Sequence, residues 1–539
     1  MTEIKNITDY LFDFTRINPD KPAFLHPKKI TYQNFCRLVD LYASGVQKSG
    51  IKKGTKTIVL IKPGIDLFAT TFALLRIGAI PVMIDPGMGT KAMARSLAKA
   101  EPEAFVGIPK SLLLKYAFPN KFKSVKTWIS TGMNWIRGGK RLSAFRKLNH
   151  KSYTVADIGK NDDVAVFFTS GSTGPAKGVV YKNYMFEAQL NYLKNHFKYQ
   201  PQEVDLCTFP LIGLFSVSLG LSVVLADMDM TRPATLKPQK LFDNINTFRC
   251  TFMFCSPMVL KKLAVYGQGK NRKLLSLKKV MTAGAPVTPE LLQNFVKLLA
   301  ETAEIHTPYG ATEALPVTDI DNKELLEIYS KTEDYSNGIC VGYSLENIDL
   351  RIIKITDTEI ENIENANECS DGEVGEIIIR GENVTQNYFN NNQANRLSKI
   401  KDSINSFLWH RTGDLGRLDK KGRVWFYGRK SQRVITGGTT LFTIPVEAVF
   451  NRHRAVERSA LVGVTKTGTT IPIVCIQLKH RFKKNRQMIA ELQRMAEESG
   501  FFQNDVTLLF HKKFPVDPRH NAKIYREKLA EWAHSQWLR

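Results

Sequence analysis

Apolar and polar positions alternate between two periods along this chain. Short β-branched and aromatic runs at 56–61, 79–84, 164–168 and 250–255 predict strands. Apolar residues at helical spacing in 65–76, 183–196 and 238–247 predict helices between them. Strand and helix in alternation point to parallel α/β sheets covered by helices. Around 372–380 the pattern changes to short strands separated by turns, as in a barrel-like subdomain. Beyond Gly428-Arg429-Lys430-Ser431 come strand patterns at 460–464 and 473–478 and helical patterns at 486–499 and 524–537. The expected architecture is α/β. The best boundary falls near Gly428, with the α/β and barrel-like patterns in a large N-terminal domain before it and a small α+β domain after it.

One stretch imitates a membrane span. Residues 206–226 carry no charge and are bounded by Asp205 and Asp227. Pro210, Gly213, Gly220 and interspersed Ser/Thr residues favour a buried loop, helix and strand instead. The polar run 357–371, with Glu359, Glu361, Glu364 and Glu368, predicts an exposed loop.

Charge adds a second theme. The chain has 76 Lys/Arg against 51 Asp/Glu, a formal net charge of +25. Between Lys110 and Lys151 there are eleven basic residues and no acidic one; between Lys261 and Lys279 there are seven and none. The first stretch is also aromatic (Tyr116, Phe118, Phe122, Trp128, Trp135, Phe145). That mixture suits an anionic membrane surface or a single-stranded nucleic acid. No zinc-finger, RNA-recognition or KH signature is present, so the membrane surface is preferred and no nucleic acid is expected. A solvated basic face with no partner explains the same charges equally well. The seven cysteines are odd in number, scattered and without a C-x-x-C pair. They read as reduced thiols of a cytoplasmic protein.

The chemistry begins at Thr169-Ser170-Gly171-Ser172-Thr173-Gly174-Pro175-Ala176-Lys177. Glycines let backbone N–H groups turn towards a phosphate, hydroxyls add donors, and Lys177 adds a mobile positive charge. The Walker pattern fails, because Lys177 follows Ala176 and precedes Gly178. Alone, such a loop is an ordinary flexible turn. Further on stand Ala283-Gly284-Ala285-Pro286, Thr307-Pro308-Tyr309-Gly310-Ala311-Thr312-Glu313, His410-Arg411-Thr412-Gly413-Asp414, Gly428-Arg429 and Asn521-Ala522-Lys523-Ile524. A tyrosine can stack on a purine, a hydroxyl can bond a phosphate, and a carboxylate can hold Mg²⁺ or ribose hydroxyls.

In this order, over nearly the whole chain, these motifs resemble the acyl-adenylate-forming superfamily. The resemblance implies that Thr169, Ser170, Gly171, Ser172, Thr173, Gly174 and Lys177 cradle the ATP phosphates. Gly284, Ala285 and Pro286 pack the adenine, with Thr307, Pro308, Tyr309, Gly310 and Ala311 beside them. Asp414 and Arg429 hold ribose. Thr312, Glu313 (also the Mg²⁺ ligand) and Lys523 serve the catalytic step. ATP and Mg²⁺ are the implied cofactors, and the implied fold is two stacked αβ subdomains plus a β-barrel-like one in residues 1–428, with 432–539 as a small, mobile α+β C-terminal lid domain carrying Lys523.

Longer stretches, including 208–211, 254–257, 281–287, 307–317 and 516–523, resemble the OleC-type β-lactone synthetases of bacterial olefin biosynthesis. Those enzymes adenylate a long-chain 3-hydroxy acid and let its own hydroxyl displace AMP, so CoA is not expected. A fatty acyl-CoA ligase or an acyl-AMP ligase feeding a carrier protein remains the alternative. Gly213, where relatives often carry a ring, suggests room for a long acyl chain. The loop Thr436-Gly437-Gly438-Thr439-Thr440-Leu441-Phe442 and Ser431 at the hinge position depart from the CoA-ligase pattern. Partners implied are a long-chain fatty or 3-hydroxy acid, other enzymes of olefin biosynthesis, and contact with the inner membrane face. A non-catalytic basic membrane-surface protein is the reading from another class. Intact Lys177, Glu313, Asp414 and Lys523 speak against it.

Overall fold

The computed structural model describes residues 5–85, 88–133, 136–148, 153–169, 176–331, 337–466, 468–502, 506–517 and 523–537. Two seven-stranded α/β sheets come first. One runs in the order 140–141, Thr127–Ser130, Ala104–Gly107, Lys56–Leu60, Ile80–Ile84, Asp163–Thr169, Lys177–Lys182. Its pairings are parallel except the last, an antiparallel hairpin. The other runs Glu304–His306, Lys279–Thr282, Phe252–Cys255, Val204–Cys207, Ser222–Leu225, Pro22–His26, 30–31, parallel apart from the final pair. Ala104–Gly107 and Ser222–Leu225 are buried at every position, as expected of strands covered on both faces.

The sheets share one core. Phe68, on the crossover helix Ile65–Arg76 of the first sheet, meets Phe24 of the second edge-on at 5.2 Å. The uncharged 206–226 stretch is a strand end, the helix Pro210–Ser218 and the strand Ser222–Leu225, all in this core. Among the described residues no helix is long and apolar enough to cross a membrane. Gly213 is packed rather than open: a Cβ there would lie 2.7 Å from Cys207 Sγ and 2.9 Å from Phe68 Cζ. The glycine lets a helix seat on its own sheet and makes no room for an acyl chain.

The basic, aromatic stretch also divides. Phe122, Trp128 and Phe145 are buried, and Trp128 stacks on Phe105 at 4.9 Å. Tyr116 and Leu113 stay 58% and 50% exposed beside the lysines. Trp135 lies outside the described residues.

An eight-stranded antiparallel barrel-like sheet follows, in the order Tyr309–Ala311, Ala314–Asp319, Ile339–Ser344, Arg423–Arg429, Trp409–Leu418, Gly375–Gly381, Ile348–Ile353, with 399–400 beside Trp409–Leu418. The short turn Lys430–Gln432 then leads into the hairpin Val434–Thr436/Thr439–Leu441. Gly437 and Gly438 both sit at positive φ (52° and 79°), the conformation a two-residue hairpin turn requires. The last unit packs the helices Thr443–Asn451, Arg486–Glu498 and Arg526–Trp537 on a three-stranded sheet of Val456–Lys466, Thr469–Leu478 and Thr507–Phe510. It has its own apolar clusters, one under each face of that sheet. All seven cysteines are free, and six are buried.

Candidate active site

Strand ends from both α/β sheets, the barrel and the C-terminal unit converge on a cleft of about 2470 Å³. Parallel sheets place their ligand crevices at the carboxyl ends of strands. Accordingly Thr169 closes its strand, Gly284 to Pro286 follow Lys279–Thr282, and Thr307 follows Glu304–His306. Thr169, Lys177, Gly284, Ala285, Pro286, the whole of Thr307 to Glu313, Asp414, Arg429 and Lys523 all line this cleft. Ser170, Gly171, Ser172, Thr173 and Gly174 lie outside the described residues. On either side of them, Thr169 and Lys177 are cross-strand partners.

Asp414 is the electrostatic centre. Its Oδ2 accepts from the Tyr309 hydroxyl at 2.6 Å, and Arg429, its cross-strand partner, brings Nε to 3.0 Å from Oδ1. That approach is an ion pair without hydrogen-bond alignment, and Oδ1 accepts no hydrogen bond from the protein. Burial pushes the Asp414 carboxyl up, and Arg429 opposes the push. The Tyr309 hydroxyl is held well above its ordinary range by burial and by the facing carboxylate. A buried acceptor without a donor costs about 1–3 kcal/mol, so Oδ1 is suited to an incoming hydroxyl. We expect Asp414→Ala to raise the KM for ATP about 10–100-fold, since hydrogen bonds to a charged acceptor contribute about 1.5–3 kcal/mol. Initial-rate pyrophosphate release measures it, and an unchanged KM removes Asp414 from the nucleotide site.

Glu313 sits on the hairpin between Tyr309–Ala311 and Ala314–Asp319. Its Oε1 accepts from the Tyr388 hydroxyl at 2.9 Å, and its carbonyl is held by Thr385 N at 2.8 Å. The Thr312 carbonyl accepts from Tyr181 at 2.6 Å. Lys177 Nζ lies 4.9 Å from the centroid of the Tyr388 ring, placing that ammonium beside Glu313's partner. Below the ring is Lys399, whose Nζ bonds the Thr385 carbonyl. Burial brings the Lys399 ammonium down to about 7, with Lys177 adding to the fall and Glu313 opposing it.

Tyr388, which also lines the cleft, was not singled out from the sequence as a site residue. Tyr388 stands 75 residues from Glu313, and no local pattern marks it.

Lys523 is fixed by two backbone bonds across its loop. Asp517 N donates to the Lys523 carbonyl at 2.9 Å, and Lys523 N donates to Asp517 Oδ1 at 2.8 Å. Burial, then the positive charge of Arg429, holds its ammonium below the ordinary lysine range. Gly428, just before Arg429, has φ 121°, and a Cβ there would lie 2.2 Å from Thr443 Oγ1. A side chain at that point would crowd Thr443, on the first helix of the C-terminal unit.

The residues present fit a magnesium nucleotide. Mg²⁺ commonly binds through one or two carboxylates together with phosphates and water, and Glu313 could provide one such carboxylate, with Lys177 beside its partner Tyr388. Asp414 Oδ1 could accept from a sugar hydroxyl.

The fold and this residue set define an enzyme of the adenylate-forming type. The chain belongs to the AMP-binding enzyme family, whose pattern matches residues 11–389. It is 37% identical to the olefin β-lactone synthetase of Stenotrophomonas maltophilia over 98% of each chain. It is likewise 37% identical to that of Xanthomonas campestris pv. campestris over 99% of each. Among solved structures, the O-succinylbenzoate coenzyme A synthetase of Bacillus subtilis, in complex with ATP and magnesium, superposes with a TM-score of 0.77. It is 19% identical, over 96% of this chain and 98% of that one.

Proposed function

We propose that this protein adenylates a long-chain 3-hydroxy acid and closes it to a β-lactone. The observation that carries the reading is near-full-length similarity to two olefin β-lactone synthetases, supported by a cleft lined by every described candidate site residue. A carboxylate is a poor acyl donor because its leaving group would be oxide. Bound ATP supplies an α-phosphorus that a carboxylate oxygen can attack, with pyrophosphate leaving. The protein's part is positioning and charge stabilisation. Asp414 and Arg429 orient the ribose, Thr312 the α-phosphate, and Lys177 with the 170–174 loop the outer phosphates. Glu313, steadied by Tyr388, would hold Mg²⁺, and Lys523 would face the charge that grows at phosphorus.

In the second step the substrate's 3-hydroxyl oxygen attacks the acyl carbon. The bond from that carbon to the AMP oxygen breaks, and the hydroxyl proton is released. Ring strain opposes closure. Proximity of the two groups within one molecule and departure of AMP favour it. Domains 1–428 and 432–539, joined through Lys430–Gln432, would reorient between the two steps.

Mass-resolved product analysis with ATP, Mg²⁺, a long-chain 3-hydroxy acid and CoA tests this reading. We expect a β-lactone and AMP in equal amounts, unchanged when CoA is omitted. A CoA thioester would overturn lactone closure and make the protein an acyl-CoA ligase.

A further inference from the structure

Outside the cleft, three elements bring two imidazoles and a carboxylate together. His196 ends the π-helical turn Tyr192–His196, His306 ends the edge strand Glu304–His306, and Asp319 ends the barrel strand Ala314–Asp319. Asp319 Oδ2 lies 2.9 Å from His196 Nε2 and 2.6 Å from His306 Nδ1. One ligand atom from each residue lies within 4.8 Å of the other two. Phe197 packs edge-on against both imidazoles, at 4.7 and 5.3 Å, and restricts their rotation.

We propose that His196, His306 and Asp319 form a binding site for a first-row transition-metal cation of the Zn²⁺ class, separate from the Mg²⁺ ligand Glu313. Two nitrogens and one carboxylate oxygen suit Zn²⁺ far better than Mg²⁺ or Ca²⁺, which favour all-oxygen shells. Ligand atoms on a tetrahedral zinc are about 3.3 Å apart, given bonds of about 2.0–2.1 Å. The present N···O separations therefore need to open by well under an ångström.

Three further observations fit a coordinating cluster. Glu304 Oε2 lies 3.6 Å from His306 Nε2, the nitrogen left over when Nδ1 takes a metal. A carboxylate behind a ligating histidine orients the ring and raises its basicity. Asp319 is 4% exposed, and its Oδ1 has no hydrogen-bond partner, so the carboxylate keeps unspent acceptor capacity. The His196 side chain is 41% exposed, which leaves a path for the ion and a fourth position for water.

The placement suggests what the ion would do. His306 and Asp319 bracket the segment that carries Thr312 and Glu313, and Thr307 N bonds the Ile320 carbonyl at 3.0 Å across its base. A metal here would tie the two ends of that hairpin to the helix Asn183–Asn191 through His196.

Chelator-treated full-length protein titrated with ZnCl₂ in the presence of Mg²⁺ tests the site. We expect one equivalent bound by calorimetry with micromolar or tighter Kd. The Tm should rise by about 2–5 °C at a hundredfold excess over Kd. Co²⁺ in place of zinc should show visible ligand-field bands of a four-coordinate ion. His196→Ala, at an exposed position, should lose that equivalent, the Tm rise and the bands. Glu304→Gln should weaken binding about 10–100-fold. Absence of saturable zinc binding, or binding unaltered in His196→Ala, would overturn the proposal and leave the three residues as a hydrogen-bond network.

Discussion

Lys523→Ala will lower the rate of adenylate formation by about 10²–10³-fold, the usual effect of removing one preorganised donor from a developing anion. ATP binding should survive, because Asp414, Arg429 and the phosphate-loop hairpin do not depend on Lys523 for their own contacts. Pyrophosphate release reports the first quantity and equilibrium nucleotide binding the second. Near-normal turnover would remove Lys523 from the chemistry. The lysine must carry its proton to stabilise negative charge, and burial and Arg429 both disfavour that proton. Activity should therefore fall on the alkaline side at a pH below the ordinary lysine range. In Lys523→Arg, whatever its residual rate, that limb should move upward, because a guanidinium stays protonated. A structural lysine with no part in the step would leave the profile where it is.

The largest effect on stability is expected at Glu376. Its Oε2 accepts from Arg411 Nη2 at 2.6 Å and from Lys430 Nζ at 2.9 Å, and the side chains of Glu376 and Arg411 are 1% and 2% exposed. Arg411 Nε also donates to Glu376 Oε2 at 3.1 Å, and its two Nη atoms bond the Thr356, Thr358 and Leu397 carbonyls. In Glu376→Ala a guanidinium and an ammonium lose the buried carboxylate they share, which costs about 3–5 kcal/mol. Thermal and urea unfolding should both register the loss. A well-packed apolar pair, Glu376→Leu with Arg411→Met, should recover the part that arises from Arg411, because removing that guanidinium also removes its desolvation cost, while Lys430 stays without its carboxylate. The cycle of single and double variants isolates the coupling. An additive result would mean that the pair contributes no mutual stabilisation. Lys430 stands at the turn into the C-terminal unit, so the same substitution should also loosen that junction.

Much of the architecture could be read along the chain. The runs at 56–61, 79–84, 164–168 and 250–255 fall on strands Lys56–Leu60, Ile80–Ile84, Asp163–Thr169 and Phe252–Cys255, because strands covered on both faces must be apolar throughout. The helical pattern at 183–196 is continuous, but its last turn is π-helical, a register change that spacing alone does not reveal. The aromatic count of the basic stretch was a poor guide to its surface: Phe122, Trp128 and Phe145 face inward while Tyr116 does not. Gly213 likewise meant close packing on Cys207 and Phe68 where the linear comparison suggested open space.

Local order along the chain thus sufficed for the strand–helix alternation, and compact motifs in succession singled out Thr312, Glu313, Asp414 and Lys523, which the structure brings to one cleft. Each of these rests on short-range periodicity or on a compact motif. The partners of those residues were a different matter. Tyr309 meets Asp414 across 105 residues, Tyr388 meets Glu313 across 75, and His196 meets Asp319 across 123. Such approaches follow from strand register and from how sheets pack on one another. Conformational freedom between distant segments vanishes only when the whole core closes, so no window of sequence contains them.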